Sequence, residues 1–254
     1  MNILNRIKDK AGKGKKSLAV LIDPDKLQGA VEFRKMLFSA SEQQVDYFLV
    51  GGSLISKGNL RKVVQAVKEY SNIPVVLFPG SYHQIDGQAD ALLFLSLISG
   101  RNPEYLIGQH VVAAPMLKES GIEVIPTGYL LVGAENQSSV AYISNTSPIP
   151  REKTDLATCT AIAGQMLGMQ LIYLEAGSGA SHPVPPEMIS MVNDQLNIPL
   201  IVGGGLNTVE KACRALESGA DMIVIGNAIE RSPTFLNELA AGVAQYNASL
   251  NIHE

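Results

Sequence analysis

Three stretches in the C-terminal half set glycines beside side chains capable of chemistry: YLEAGSGA (Tyr173–Ala180), VGGGL (Val202–Leu206) and IGNAIE (Ile225–Glu230). Consecutive glycines let backbone N–H groups approach an anion, and a helix N-terminus after them adds partial positive charge. VGGGL and IGNAIE, about twenty residues apart, therefore point to bound phosphate, with plain turn geometry as the alternative. Glu175 falls near the end of an apolar run, where pleated alternation turns it the same way as Tyr173. A carboxylate beside a phosphate pocket can act as general base for a substrate hydroxyl. A buried ion pair is the structural alternative for Glu175, but no strand-like run carries a Lys or Arg to pair with it.

The N-terminal half contributes oxygen ligands. LIDPDK closes a strand-like run at Asp23, and a carboxylate facing phosphate suits Mg2+, which binds through one or two protein oxygens plus substrate phosphates. A loop-capping carboxylate is the other reading. LVGGS ends in Ser53, whose hydroxyl is either a further ligand at the same mouth or the N-cap of a helix.

Eight short apolar runs must bring these residues together: Leu18–Asp23, Asp46–Gly51, Val75–Phe78, Ala91–Leu97, Glu123–Tyr129, Leu171–Ala176, Pro199–Gly203 and Asp221–Gly226. Near-continuous apolarity suits parallel strands covered on both faces. Helical patterns separate most of them, at Ala30–Gln44, Lys57–Tyr70, Pro103–Ser120, Lys153–Gly168, Pro186–Gln195 and Pro233–Ser249. In NTVEKACRALESGAD, Asn207 is the expected cap with Glu210 completing a capping box. Val209, Ala212, Cys213 and Leu216 then form one buried stripe, and Gly219 supplies the C-terminal left-handed residue. Only PGSYHQIDGQAD lies between the third and fourth runs, too little for a crossover helix. The fold class is therefore α/β, a modified (βα)8 TIM-type barrel with its third helix replaced by a loop or strand, residues 1–254 forming one domain. A doubly wound sheet would tolerate the same gap. In barrels the loops after strands seven and eight hold phosphate, and VGGGL and IGNAIE stand there. Leu130–Pro150 is long for a βα loop and is read as a lid or substrate wall.

Composition narrows the class. With 46% hydrophobic and 17% charged residues the chain suits a soluble globular protein. A net charge of −4 gives no basic footprint for nucleic acid. Lys8, Lys10, Lys13, Lys15 and Lys16 read as the solvated face of an N-terminal helix, with transient membrane-surface contact as the alternative. Cys159 and Cys213 read as buried structural thiols, and the four histidines lack zinc-ligand spacing. No signal peptide and no run of about 18 apolar residues is present, so a cytoplasmic location is expected.

LIDPDK, LVGGS, YLEAGSGA, VGGGL and IGNAIE, in this order over almost the whole chain, resemble the geranylgeranylglyceryl phosphate synthase family of prenyltransferases. The second branch fits, since the first branch carries a lysine two residues before its metal aspartate and Leu21 stands here. The resemblance implies that geranylgeranyl diphosphate is joined to the 3-hydroxyl of sn-glycerol 1-phosphate, giving an ether lipid precursor and diphosphate, with Mg2+ as cofactor. It implies Asp23 and Ser53 as metal ligands. It implies a glycerol-phosphate clamp of Tyr173, Leu174, Glu175, Ala176, Gly177, Ser178, Gly179, Gly203, Gly204, Gly226 and Asn227, with Glu175 as base and Tyr173 supporting alignment. It implies a homo-oligomer, dimer or hexamer. Leu95–Ile98, Tyr105, Tyr129–Val132 and Tyr142–Ile143 are candidates for a prenyl groove, with core packing as the alternative, and a C35 donor would share the same head-group motifs. Another phosphate-barrel enzyme acting on a sugar phosphate is a competing reading, although aldolase chemistry would want a strand lysine. A non-catalytic phospholigand sensor is the other, and it would not need Glu175.

Overall fold

The computed structural model describes residues 2–27, 29–133, 138–226 and 233–250. Eight parallel strands close into a barrel in sequence order: β1 (Ser17–Ile22), β2 (Tyr47–Gly52), β3 (Val75–Pro79), β4 (Ala91–Leu97), β5 (Glu123–Leu131), β6 (Leu171–Glu175), β7 (Leu200–Gly203) and β8 (Met222–Ile225). Each predicted run is a strand, with ends shifted by a residue or two. The doubly wound alternative is excluded because β8 pairs back onto β1.

Alternation divides the core in two. Ala19, Tyr47, Leu49, Val76, Phe78, Leu93, Tyr129 and Tyr173 fill the barrel interior. Leu18, Val20, Phe48, Leu77, Leu92, Leu130, Ile172 and Leu174 face the helices outside. Burial of both faces explains why the strands are apolar throughout. One device recurs at the strand starts. Asp46 accepts the Leu18 N–H at 2.9 Å, Asp90 the Val75 N–H at 2.7 Å and Asp221 the Leu200 N–H at 2.9 Å. In each case an aspartate just before one strand holds the first or second amide of the preceding strand, which helps set register.

The covering helices are α2 (Ala30–Glu42), α3 (Leu60–Tyr70), α4 (Gln109–Ser120, entered through a π-turn at Glu104–Gly108), α6 (Thr154–Met166), α7 (Pro186–Asn193), α8 (Val209–Glu217) and α9 (Pro233–Leu250). No helix stands between β3 and β4; a loop takes its place. The short α5 (Ser139–Ser144) lies in the long segment after β5. Thr208, not Asn207, caps α8, accepting the Lys211 N–H at 3.3 Å. The buried face of α8 adds Ala215 to Ala212 and Leu216, while Val209 and Cys213 are half-buried. Gly219 has φ +114°, as its position after α8 requires. Cys159 is exposed, against expectation: its neighbours Ala157, Thr158 and Ala161 form the inward face of α6. Among the described residues no helix is long and apolar enough to cross a membrane.

The N-terminal helix α1 (Ile3–Gly12) plugs the end of the barrel where the strands begin. Ile3 and Ile7 enter the interior cluster, and Arg6 lies over the Tyr47 ring at 5.4 Å. Lys10 pairs with Asp46 at 2.5 Å, Lys8 with the Gln170 amide oxygen at 2.6 Å and Lys16 with Asp221 at 3.6 Å. These three lysines are tethers rather than a solvated face, and Lys16 is buried. The Glu123 carboxylate accepts the Ile3 and Leu4 N–H groups at 2.5 and 2.9 Å, capping the helix from another element. Glu123→Ala is expected to cost about 1 kcal/mol, as loss of an N-cap does, and to lower Tm by roughly 2–4 °C without changing kcat. Thermal melting and steady-state rates check both halves.

Candidate active site

The opposite end of the barrel carries a polar bowl of about 590 Å3. Asp23 follows β1, Ser53 follows β2, Tyr173 and Glu175 end β6, Gly204 follows β7 and Gly226 follows β8, and all of these line it. Ser178 and Gly179 join them. Asn227 lies outside the described residues. Gly177 and Gly203 are not among the bowl's lining residues. An ideal Cβ on Gly203 would collide with the Tyr173 hydroxyl and stand 2.9 Å from Glu175 Oε2, so glycine there makes room for the two functional side chains of the neighbouring strand. Leu174 and Ala176 belong to the outer, helix-facing core. Strand alternation leaves only their backbones able to meet a ligand.

Glu175 is 6% exposed. Its Oε1 accepts the Gly177 N–H at 2.7 Å, and no described strand residue is a Lys or Arg that could pair with it. Burial raises its pKa from 4.5 to about 7, against smaller opposing effects of the Gly177 N–H and the Tyr173 hydroxyl. Such a carboxylate is half-ionised near neutrality, which suits a general base. The Tyr173 hydroxyl is buried and has no well-formed hydrogen bond among the described residues. Burial, together with the neighbouring Glu175 charge, holds its pKa well above the usual phenol value. A buried donor of this kind commonly serves a ligand.

Asp23 carries the loop-capping role and also lines the bowl. Its Oδ1 accepts the Asp25 N–H at 3.0 Å, so it shapes its own loop, and its Oδ2 meets Lys26 Nζ at 3.1 Å. Ser53 does not cap α3; Asn59 does, accepting the Lys62 N–H at 3.0 Å. Ser53 is thereby left at the mouth with Asp23. Among the described residues no cluster of three or more His, Cys, Asp or Glu could cage a metal. One carboxylate plus one hydroxyl fits a hard cation that takes its remaining oxygens from substrate.

Where the third helix is missing, an apolar groove opens from the bowl, with a cavity volume of about 110 Å3. Phe94, Leu95, Leu97, Tyr105, Ala113 and Ile143 line it, and Gly52, Ser53, Phe78, Tyr129 and Val140 are shared with the bowl. The rings of Phe78, Tyr129 and Tyr173 lie 5.3–6.0 Å apart at the junction. Of the groove candidates, Leu95, Leu97, Tyr105, Tyr129 and Ile143 are on its wall. Leu130 and Val132 are outer core, Leu131 is barrel interior and Tyr142 is exposed. Helix α5 makes the segment after β5 a wall, with Ser139 and Val140 on the bowl. Lys26 and Gly205 also line the bowl, from within LIDPDK and VGGGL, whereas Phe78 lines it without any local sequence signal.

Fold and site together define a (βα)8-barrel enzyme whose polar bowl runs into an apolar groove. The PcrB family profile matches residues 13–243. A geranylgeranylglyceryl phosphate synthase from Spirosoma linguale is 52% identical over 93% of this chain and 95% of its own. One from Chitinophaga pinensis is 51% identical over 95% of each. The crystal structure of (S)-3-O-geranylgeranylglyceryl phosphate synthase from Thermoplasma acidophilum in complex with sn-glycerol-1-phosphate superposes with a TM-score of 0.89 at 33% identity, covering 96% of this chain and 99% of that one. The chain belongs to the PcrB family, that of the geranylgeranylglyceryl phosphate synthases, and is a prenyltransferase.

Proposed function

We propose that this enzyme joins geranylgeranyl diphosphate to the 3-hydroxyl of sn-glycerol 1-phosphate, in a Mg2+-dependent reaction that yields an ether lipid precursor and diphosphate. The observation that carries this reading is the junction: Glu175 and Tyr173 line a bowl that shares Gly52, Ser53, Phe78, Tyr129 and Val140 with an apolar groove. An acceptor with a phosphate and hydroxyls suits the bowl, and a diphosphate with a long hydrocarbon tail needs both compartments. The Thermoplasma relative's complex with sn-glycerol-1-phosphate supports the acceptor.

The chemistry follows from the side chains. The glycine loops hold the glycerol phosphate through backbone N–H groups, and Tyr173 orients its hydroxyls. The acceptor oxygen forms a C–O bond to the allylic C1 while the bond from C1 to diphosphate breaks, the electron pair leaving with diphosphate. The hydroxyl proton passes to Glu175. Positive charge developing at C1 would face the aromatic rings of Phe78, Tyr129 and Tyr173, whose π faces favour it. Asp23 and Ser53 would hold the Mg2+, which when bound supplies the positive charge a departing diphosphate needs. Homo-oligomerisation belongs to the same proposal, by analogy with the family.

The test is incubation of pure protein with Mg2+, labelled sn-glycerol 1-phosphate and prenyl diphosphates of graded length. An ether product that is maximal with the C20 donor and abolished by EDTA is expected. Absence of product with every donor would sink the proposal, and a maximum at C35 would reassign the donor. Equal turnover of glycerol 3-phosphate would overturn the stereochemical part.

A further inference from the structure

The bowl has a charge problem. Its lining, among the described residues, contains Asp23, Glu175 and Glu238 but a single cation, Lys26. Two phosphorylated substrates must nonetheless enter it, if the function proposed above is right. Lys26 already touches the carboxylate assigned to the metal, with Nζ 3.1 Å from Asp23 Oδ2. Its side chain is 39% exposed, so the ammonium can leave that carboxylate without crossing packed core.

The backbone beneath Lys26 is held firmly. Asp23–Pro24–Asp25–Lys26 forms a tight turn closed by the Lys26 N–H on the Asp23 carbonyl at 3.0 Å, with proline at its favoured second position. The Asp25 carboxylate accepts the Ser56 N–H and hydroxyl at 2.7 and 2.8 Å, the Lys57 N–H at 2.9 Å and the Gly58 N–H. That clamp ties the loop after β1 to the loop carrying Ser53. Movement of Lys26 is therefore confined to its flexible stem, on a platform already registered against both oxygen ligands.

We propose that Lys26 is a diphosphate-binding residue that neutralises Asp23 in the ligand-free site and hands its ammonium to the diphosphate when a divalent cation takes the carboxylate. The exchange keeps Asp23 compensated at every stage. The inference rests on the donor reading above, and its test separates the two.

Titration calorimetry with inorganic diphosphate in Mg2+, and Mn2+ binding followed by electron paramagnetic resonance without diphosphate, are made on wild type, Lys26→Met and Lys26→Arg. Lys26→Met should weaken diphosphate binding by about tenfold, as loss of one charge-assisted contact does, and Lys26→Arg should restore most of it. Affinity for sn-glycerol 1-phosphate should stay unchanged, which also shows the variant is folded. Mn2+ alone should bind Lys26→Met more tightly than wild type, because the competing ammonium is gone. A merely structural lysine would not move the two affinities in opposite directions. Unchanged diphosphate affinity in Lys26→Met overturns the inference; unchanged or weaker Mn2+ binding overturns the exchange. A wild type that binds sn-glycerol 1-phosphate but no diphosphate overturns the donor reading, and this inference with it.

Discussion

Glu175→Gln is expected to lower kcat by about 10²–10⁴-fold, the usual worth of a positioned general base, while sn-glycerol 1-phosphate still binds with near wild-type affinity. The amide keeps the shape of the carboxylate and can still accept the Gly177 N–H that Glu175 holds at 2.7 Å. It cannot take the acceptor's proton. Single-turnover product formation and calorimetry separate the two effects, and a variant with turnover near wild type would remove Glu175 from the chemistry. The same outcome would favour a non-catalytic use of the bowl.

The raised pKa makes two further outcomes part of that prediction. A base must be ionised, so wild-type kcat/KM should fall as pH drops below about 7, the value to which burial pushes Glu175, and the residual rate of Glu175→Gln should lack that limb. Stability runs the other way. Below pH 4.5 the carboxyl is protonated in folded and unfolded chains alike, so its contribution is fully present there. As pH rises through about 7 the unfolded chain ionises freely and the buried group resists, so that contribution is lost. A shift from 4.5 to about 7 corresponds to roughly 3 kcal/mol. Glu175→Gln should therefore melt several degrees above wild type at pH 8 and close to it at pH 4.5. A variant less stable at both values would contradict the assignment of burial as the cause.

Sequence pattern and structure agree where the physics is local. The eight strands were legible because both faces are buried, which makes each run apolar against helical, polar-striped surroundings. The absent third helix was legible because PGSYHQIDGQAD is too short and too rich in breakers to cross the barrel. Glu175, Tyr173 and the glycine loops stood out through neighbours one or two positions away. Contributions from distant elements had no such signal. Phe78 looks like strand core in sequence, and only barrel closure places it against Tyr129 and Tyr173 at 6.0 and 5.4 Å. Proximity in a motif also misleads: Leu174 and Ala176 sit inside YLEAGSGA yet point into the outer core, because the pleat turns alternate residues away. The Asn207–Thr208 pair offers two adjacent capping side chains, and which one caps depends on how the chain leaves β7.

Gly204→Ala should all but abolish sn-glycerol 1-phosphate binding and shift the pH profile to higher values, although it adds one methyl group. Gly204 has φ +79°, a conformation that costs a side-chain-bearing residue about 1–3 kcal/mol. That cost alone would lower stability and leave the site intact. The added Cβ, however, would run into Glu175 Oε1 and stand 2.8 Å from the Ala176 and Gly177 nitrogens, all rigidly placed at the end of β6. Pushing the carboxylate aside breaks its bond to the Gly177 N–H, which is the largest influence lowering the Glu175 pKa, so the pKa should rise above about 7. Gly121→Ala is the matched control: φ there is +67° and nothing lies within 4 Å of the new Cβ, so it bears the backbone cost without the collision. Thermal melting should show the larger loss in Gly204→Ala, which adds the collision to the backbone cost, while binding and the pH–rate profile change in Gly204→Ala alone. If both variants bind glycerol phosphate like wild type, the glycine after β7 is a turn residue only, and the clamp must be sought elsewhere on the rim.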